Sequence, residues 1–212
     1  MRMRKKKNLR PRMENCSIYW IQKPEEMRGK WLALMPEARA VFLEIGCGKG
    51  RFTCETASEN PDILFVAIER VPEAMIVGME RARNMDLHNV FYIDGDAREL
   101  EKYFAAGELS RIYINFCDPW SSQSYARRRL THTDFLSIYR PILIENGEIH
   151  FKTDNSMLFE YSLFQFPKLN FTLHAVTRDL HAEGVQGVMT DYEEKFHTQG
   201  IPICRCIAKK EA

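Results

Sequence analysis

From Val41 onward the apolar residues of this chain gather into short unbroken runs, VFLEIG, ILFVAIE, NVFYID, RIYINF and GEIHFKT. Between them lie longer segments whose apolar residues recur at helical spacing, among them PEAMIVGMERARNM and HTDFLSIYRPILIEN. Strand-sized runs rich in Ile, Val and Phe that alternate with helices predict parallel strands joined by right-handed crossovers, an α/β fold with an open, doubly wound, mostly parallel sheet. Further on, NFTLHAV and PICRCIAKK read as two more strands, separated by a span poor in apolar residues. Before Val41, ENCSIYWIQKPEEMRGKWLALMP keeps no sustained period and predicts a loop with short helical pieces. One domain over residues 39–212, preceded by an arm and lead-in over 1–38, accounts for the pattern.

Charge adds a polarity that hydropathy does not reveal. The net charge of the chain is +1, yet its first twelve residues, MRMRKKKNLRPR, hold seven basic residues and no acid, which leaves 23 basic against 29 acidic residues, or −6, for the remainder. A basic arm on an acidic body suits a polyanionic partner met at one end; a solvated tail is the plain alternative. No apolar run reaches the roughly 18 to 20 residues of a membrane span, and the start lacks the apolar centre of a secretion signal, so a cytoplasmic protein is expected. The six cysteines form no CxxC pair and the six histidines show no ligand spacing, so free thiols and no metal are expected. Nothing in the sequence indicates an oligomer.

In a doubly wound sheet, ligands meet the carboxyl ends of the strands, where the loops converge. The first strand ends in EIGCGKGRF, placing Glu44 before Gly46, Gly48 and Gly50. Such glycines allow a tight turn and close approach of backbone N–H groups to a ligand. A dinucleotide fingerprint needs its third glycine one place later, where Arg51 stands, which argues against a nicotinamide oxidoreductase. The second strand ends in Glu69, able to accept both ribose hydroxyl hydrogens of an adenosine-containing cofactor. The third ends in IDGDA, where Asp96 is better set than Asp94 to meet an adenine amine. Each acid taken alone reads equally well as a helix N-cap, but together they mark three consecutive strand ends. The fourth strand delivers Asn115-Phe116-Cys117-Asp118-Pro119-Trp120 to the same rim, and a carboxylate there can accept two hydrogens from the Watson–Crick edge of guanine.

GxGxG followed by these acids resembles the class I S-adenosylmethionine-dependent methyltransferases, whose fold is Rossmann-like. With MRMR, EIGCGKG, IER, DGDA, NFCDPW, RRLT, GEIHFKTDN, FEYS and TDYEEKF in that order, the chain resembles the bacterial tRNA (guanine-N7-)-methyltransferase family over nearly its whole length. The resemblance implies S-adenosyl-L-methionine as cofactor and tRNA as partner, with methylation at N7 of a variable-loop guanosine. It implies that Asp118 is catalytic and also meets the cofactor, and that Glu44, Glu69 and Asp96 bind the cofactor, Glu44 near the methionine amine or its water shell. It further implies that Asp154, Thr190 and Glu193 contact the guanosine. On the residues alone, Asp154 could instead cap a helix near Ser156, and DYEEK could be a solvated turn.

Arg127, Arg128 and Arg129 follow the loop and could grip phosphates beside the target base. The family usually reads PWPKKRHxKRRL here, whereas this chain has Ser121-Ser122-Gln123-Ser124-Tyr125, so Ser122 stands where the family uses a substrate-contacting lysine. That departure favours a non-catalytic RNA-binding member as the alternative. Retention of every cofactor acid favours the enzyme.

Overall fold

In the computed structural model, which describes residues 8–211, seven strands form one sheet: β1 (Ala40–Ile45), β2 (Ile63–Glu69), β3 (Val90–Asp94), β4 (Leu109–Asn115), β5 (Leu143–Thr153), β6 (Phe171–Thr177) and β7 (Cys204–Lys210). Their order is β3-β2-β1-β4-β5-β7-β6. The first five are parallel, and β7 runs antiparallel to both its neighbours. The strand order reverses between the parallel neighbours β1 and β4, so the loops after these two strands diverge and leave a crevice at their carboxyl ends.

Helices cover both faces: α1 (Leu9–Glu14), α2 (Arg51–Glu59) and α3 (Pro72–Asn84) on one, and α4 (Leu100–Tyr103), α5 (Thr133–Ile142) and α6 (Ser156–Gln165) on the other. A seventh, α7 (Asp191–Thr198), lies in the span between the last two strands. Alternation along the strands sorts their side chains into two cores. Leu64, Val66 and Ile68 point to one, while Ile63, Phe65 and Ala67 point to the other.

The lead-in forms three short 3₁₀ turns, as its mixed pattern predicts, and it is packed rather than loose. Trp31 is fully buried, and its indole N–H donates to the Tyr103 carbonyl at 2.9 Å. The Ile21 amide donates to the Tyr92 carbonyl at 2.9 Å, extending the hydrogen bonding beyond the β3 edge.

The arm's first seven residues, and with them most of its basic run, lie outside the described residues; in the remainder Arg10 is exposed while Arg12 is engaged. Arg12 makes a two-pronged ion pair with Glu80 on α3, at 2.7 and 2.5 Å, and Met13 beside it is buried. One helix expectation needs correction. The segment read as helix through Asn146 instead leaves α5 at Ile142, and β5 begins at Leu143. Pro141 in the last turn has no N–H for a further helical bond. Leu143 then pairs with Leu109, and the ladder resumes only at Arg111 and Glu148, with Asn146 at φ 63° turning the extra residues out as a bulge.

Candidate active site

The carboxyl ends of β1 to β4 enclose a cleft of about 720 Å³, lined among others by Gly46, Glu69, Asp96, Asp118, Trp120 and Arg128. All three glycines of the first loop have positive φ, 77°, 56° and 70°. Gly46 and Gly48 face open space where a side chain would stand, whereas a Cβ on Gly50 would come within 2.7 Å of Gly78 Cα on α3. Gly50 is thus fixed by helix packing, and the open cradle belongs to the first two glycines. Glu69 binds this loop to its own strand end. Its carboxylate accepts from the Gly48 amide at 2.9 Å, and from the Arg70 and Val71 amides at 2.8 and 3.0 Å. Asp96 accepts from the Arg98 amide at 2.9 Å, capping the 3₁₀ turn that follows.

Glu44 departs from its expected place. It is 2 % exposed, does not line the cleft, and accepts from the Thr53 hydroxyl and, at 3.0 Å, from the Asn115 amide. Burial raises its pKa against the pull of those two bonds. Its work is to tie α2 and the end of β4 together beneath the cleft floor.

Asp118 is presented by a tightly bent loop. Phe116 at φ 52° and Trp120 at φ 43° flank it, conformations that cost bulky residues free energy and persist only when their surroundings hold them. The hold comes from two sides. The Phe116 amide donates to the Lys152 carbonyl at 2.9 Å, and Arg129 donates to the carbonyls of Pro119 and Trp120 at 3.0–3.3 Å. Arg129 is only 1 % exposed, and its guanidinium lies 4.3 Å from the centre of the Tyr161 ring. It therefore cannot serve as the phosphate contact expected of it. The Asp118 carboxylate is exposed to the cleft, and among the described residues no side chain or backbone group bonds to it. Next to it, burial followed by the charge of Asp118 pushes the Cys117 thiol up to about 12, which keeps it protonated and unreactive.

The other two arginines face outward. Arg127 pairs with Asp134 at 2.8 Å on the surface. Arg128 stands at the mouth of the cleft between Trp120 and Tyr125, 4.9 and 4.7 Å from their ring centres. Ser122 is exposed; its hydroxyl meets that of Ser124 at 2.8 Å, and its carbonyl accepts from the Tyr125 amide at 3.0 Å.

At the far rim, Asp154 is half-buried and unpaired among the described residues, and the helix cap it could have supplied is made by Asn155, which accepts from the Leu158 amide at 2.8 Å. Thr190 and Glu193 form a reciprocal capping box at the start of α7. Glu193 is 0 % exposed, with Lys152 at 3.0–3.1 Å and His181 at 3.0 Å. Since the Gln186 amide donates to His181 Nδ1, the Nε2–H donates to Glu193. With its acceptors already taken, Glu193 is a buried pillar rather than an open guanosine contact, which corrects that expectation. Thr190, also buried, spends its hydroxyl on the same cap. Lys152 and His181 carried no expectation. Arg51, at the start of α2, bonds to Glu194 and so docks α7 beside the glycine loop, and Phe116 meets Phe196 at 6.0 Å between ring centres. Among the described residues, no cluster of metal-ligating side chains occurs and no helix is long and apolar enough to cross a membrane.

A family model described as "Putative methyltransferase" matches residues 38–206. Over 98 % of its length the chain is 42 % identical to the tRNA (guanine-N(7)-)-methyltransferase of Geobacillus thermodenitrificans, covering 97 % of that protein. The chain belongs to the tRNA (guanine-N(7)-)-methyltransferase family. The family's member from Clostridioides difficile is 41 % identical, with 99 % of each chain covered. Solved structures similar in fold include the 16S rRNA methyltransferase KamB, with a TM-score of 0.68 at 16 % identity over 87 % of this chain and 94 % of that one. An antibiotic-related methyltransferase aligns with a TM-score of 0.64 at 18 % identity over 87 % and 94 %. The methyl donor of this family and fold is S-adenosylmethionine. The cleft fits it: Gly46 and Gly48 have open space where a side chain would stand, and the Glu69 and Asp96 carboxylates at the ends of neighbouring strands can accept hydrogens from a ribose and an adenine amine.

Proposed function

We propose that this protein transfers the methyl group of S-adenosylmethionine to N7 of a variable-loop guanosine in tRNA, acting in the cytoplasm. The observation that carries the reading is the Asp118 carboxylate, unpaired among the described residues and exposed in the cleft that Glu69 and Asp96 also line. Glu69 and Asp96 would hold the ribose and adenine portions of the cofactor, and Gly46 and Gly48 would let it lie against the backbone. The cofactor, when bound, supplies a methyl group activated on a sulfonium.

Guanine N7 has a free lone pair and no hydrogen, so no general base is required. Positioning and electrostatics must then supply most of the acceleration. Asp118 would accept hydrogens from the guanine edge and offset the positive charge that methylation leaves on the purine. Asp154 would meet the guanosine from the β5 end, while Thr190 and Glu193 act through the placement of α7. Arg127 and Arg128 would meet flanking phosphates, with Arg129 holding the loop from within. Incubating the protein with unmodified tRNA and labelled S-adenosylmethionine, then mapping the product, tests the reading. Label recovered as 7-methylguanosine in the variable loop is expected; label absent or on another atom would overturn it.

A further inference from the structure

The cleft wall beyond Glu69 includes Arg70, Arg98 and Phe135, to which neither the sequence nor the transfer reaction assigns a part. Arg98 lies in the 3₁₀ turn that Asp96 caps. Its backbone amide donates to one carboxylate oxygen of Asp96 at 2.9 Å, and its guanidinium donates to the other at 3.3 Å. Arg70, just beyond β2, approaches that second oxygen at 3.6 Å. Two guanidiniums beside one carboxylate offset its charge, so this end of the cleft suits a neutral group better than a cation.

Arg98 also meets a ring. Its guanidinium carbon lies 5.0 Å from the centre of Phe135, a cation–π contact between the turn after β3 and the first turn of α5. Phe135 is 3 % exposed, whereas the Arg98 side chain is 53 % exposed and lines the cleft. One face of the guanidinium is therefore spent on Phe135, and the accessible face is the other one. A flat, delocalised cation held from one side by a ring and from its edge by a carboxylate is a stacking surface for a planar base. Asp96, bonded to the same guanidinium, is an acceptor for an exocyclic amine, since its lone pairs outnumber the bonds it accepts here.

We propose that Arg98 positions the cofactor: its open guanidinium face receives the adenine ring of S-adenosylmethionine, Phe135 backs it from the other side, and Asp96 beside it accepts from the adenine amine. The inference rests on the placement of adenine at Asp96 under the proposed function, and adds to it the residue that the base lies against.

The test is calorimetric titration of the full chain with S-adenosylmethionine and, separately, with S-adenosylhomocysteine, which shares the adenine and lacks the sulfonium charge. Arg98→Ala should raise both dissociation constants by roughly 5- to 30-fold, and by the same factor. An effect on only one of the two ligands would mark a charge effect and overturn the stacking role. Arg98→Lys keeps the cation and loses the plane, and should bind both ligands as weakly as the alanine variant. Arg98→Gln keeps a planar amide without the charge, and should bind them more tightly than either. The reverse order would make Arg98 an ion-pair partner of Asp96 alone and overturn the proposal, as would unchanged affinity in all three variants. Because the side chain is half exposed, none of these changes should move the thermal unfolding midpoint by more than about 2 °C.

A role exercised through Asp96 is separated by repeating Arg98→Ala in an Asp96→Asn background. Direct contact with the base predicts the same further loss there, and a loss that vanishes would overturn it. Asp96→Asn that binds both ligands as the unaltered protein does would withdraw adenine from this end of the cleft, and the proposal with it. None of these titrations contains RNA, so methylation at guanine N7 stands or falls by mapping the tRNA product alone.

Discussion

The two halves of the cleft rim spend their acids differently. On the β2–β3 side, Glu69 and Asp96 already accept backbone N–H bonds, four between them, so their carboxylates are fixed before any ligand arrives. On the β4–β5 side, Asp118 and Asp154 accept none among the described residues. The first half is pre-organised, which lowers the ordering cost of binding. The second keeps its acceptors free, at the expense of a strained loop held by Arg129 and Lys152. Glu193 shows what an acid on this side becomes when fully enclosed: a structural member, no longer an acceptor for substrate.

The largest effect should come from that enclosed acid. Glu193→Ala would leave Lys152 buried and uncompensated, and loss of one partner of a buried pair typically costs about 3–5 kcal/mol. Chemical denaturation should show it, and a loss below about 1 kcal/mol would mean that Glu193 is not the pillar described. Asp118→Ala should lower turnover on the order of 100-fold or more while leaving unfolding nearly unchanged, because its carboxylate bonds to no group among the described residues. Wild-type turnover would end its catalytic assignment.

Glu69→Ala sharpens the contrast, since its carboxylate serves both loop and cofactor. Calorimetry should give a cofactor dissociation constant raised by roughly 10- to 100-fold. Because three amides lose their acceptor, stability should fall as well, unlike that of the Asp118 variant. Unchanged affinity would assign Glu69 to the loop alone. The smallest effect is expected at Ser122, an exposed position whose hydroxyl meets that of a neighbouring serine. Ser122→Lys should tighten tRNA binding by about 1 kcal/mol, as a screened rim contact does. A tRNA titration that finds no change in affinity or salt slope would remove Ser122 from the RNA path.

The parallel strands and their acids were readable because burial on both faces writes long apolar runs, and loops at strand ends put Glu69, Asp96 and Asp118 at predictable places. Three features were less accessible. Three consecutive arginines carry no local sign of which one turns inward, and Arg129 is identified only by the carbonyls of a loop ten residues away. Lys152 and Glu193 are 41 residues apart, so their pairing leaves no local pattern. The helix at α7 did leave one: Thr190-Asp191-Tyr192-Glu193 has the Thr-x-x-Glu spacing of a capping box, which marks a helix start where a turn was the competing reading. The arm's basic run concealed the apolar Leu9 and Met13, which dock α1 onto the protein body.

The place of β7 in the sheet constrains the order in which the chain can assemble. β6 bonds to β7 alone, and β7 is the strand that joins it to β5, although it comes last in the described chain. During synthesis β6 therefore emerges with no sheet to enter, and β5 waits with one edge open. The parallel strands can pair as they appear, but the open edge of β5 gains its partner only after β7 is made, which brings Arg205 and Lys152 opposite one another. Until that moment the nascent protein exposes an unpaired strand edge, the kind of template that invites wrong partners.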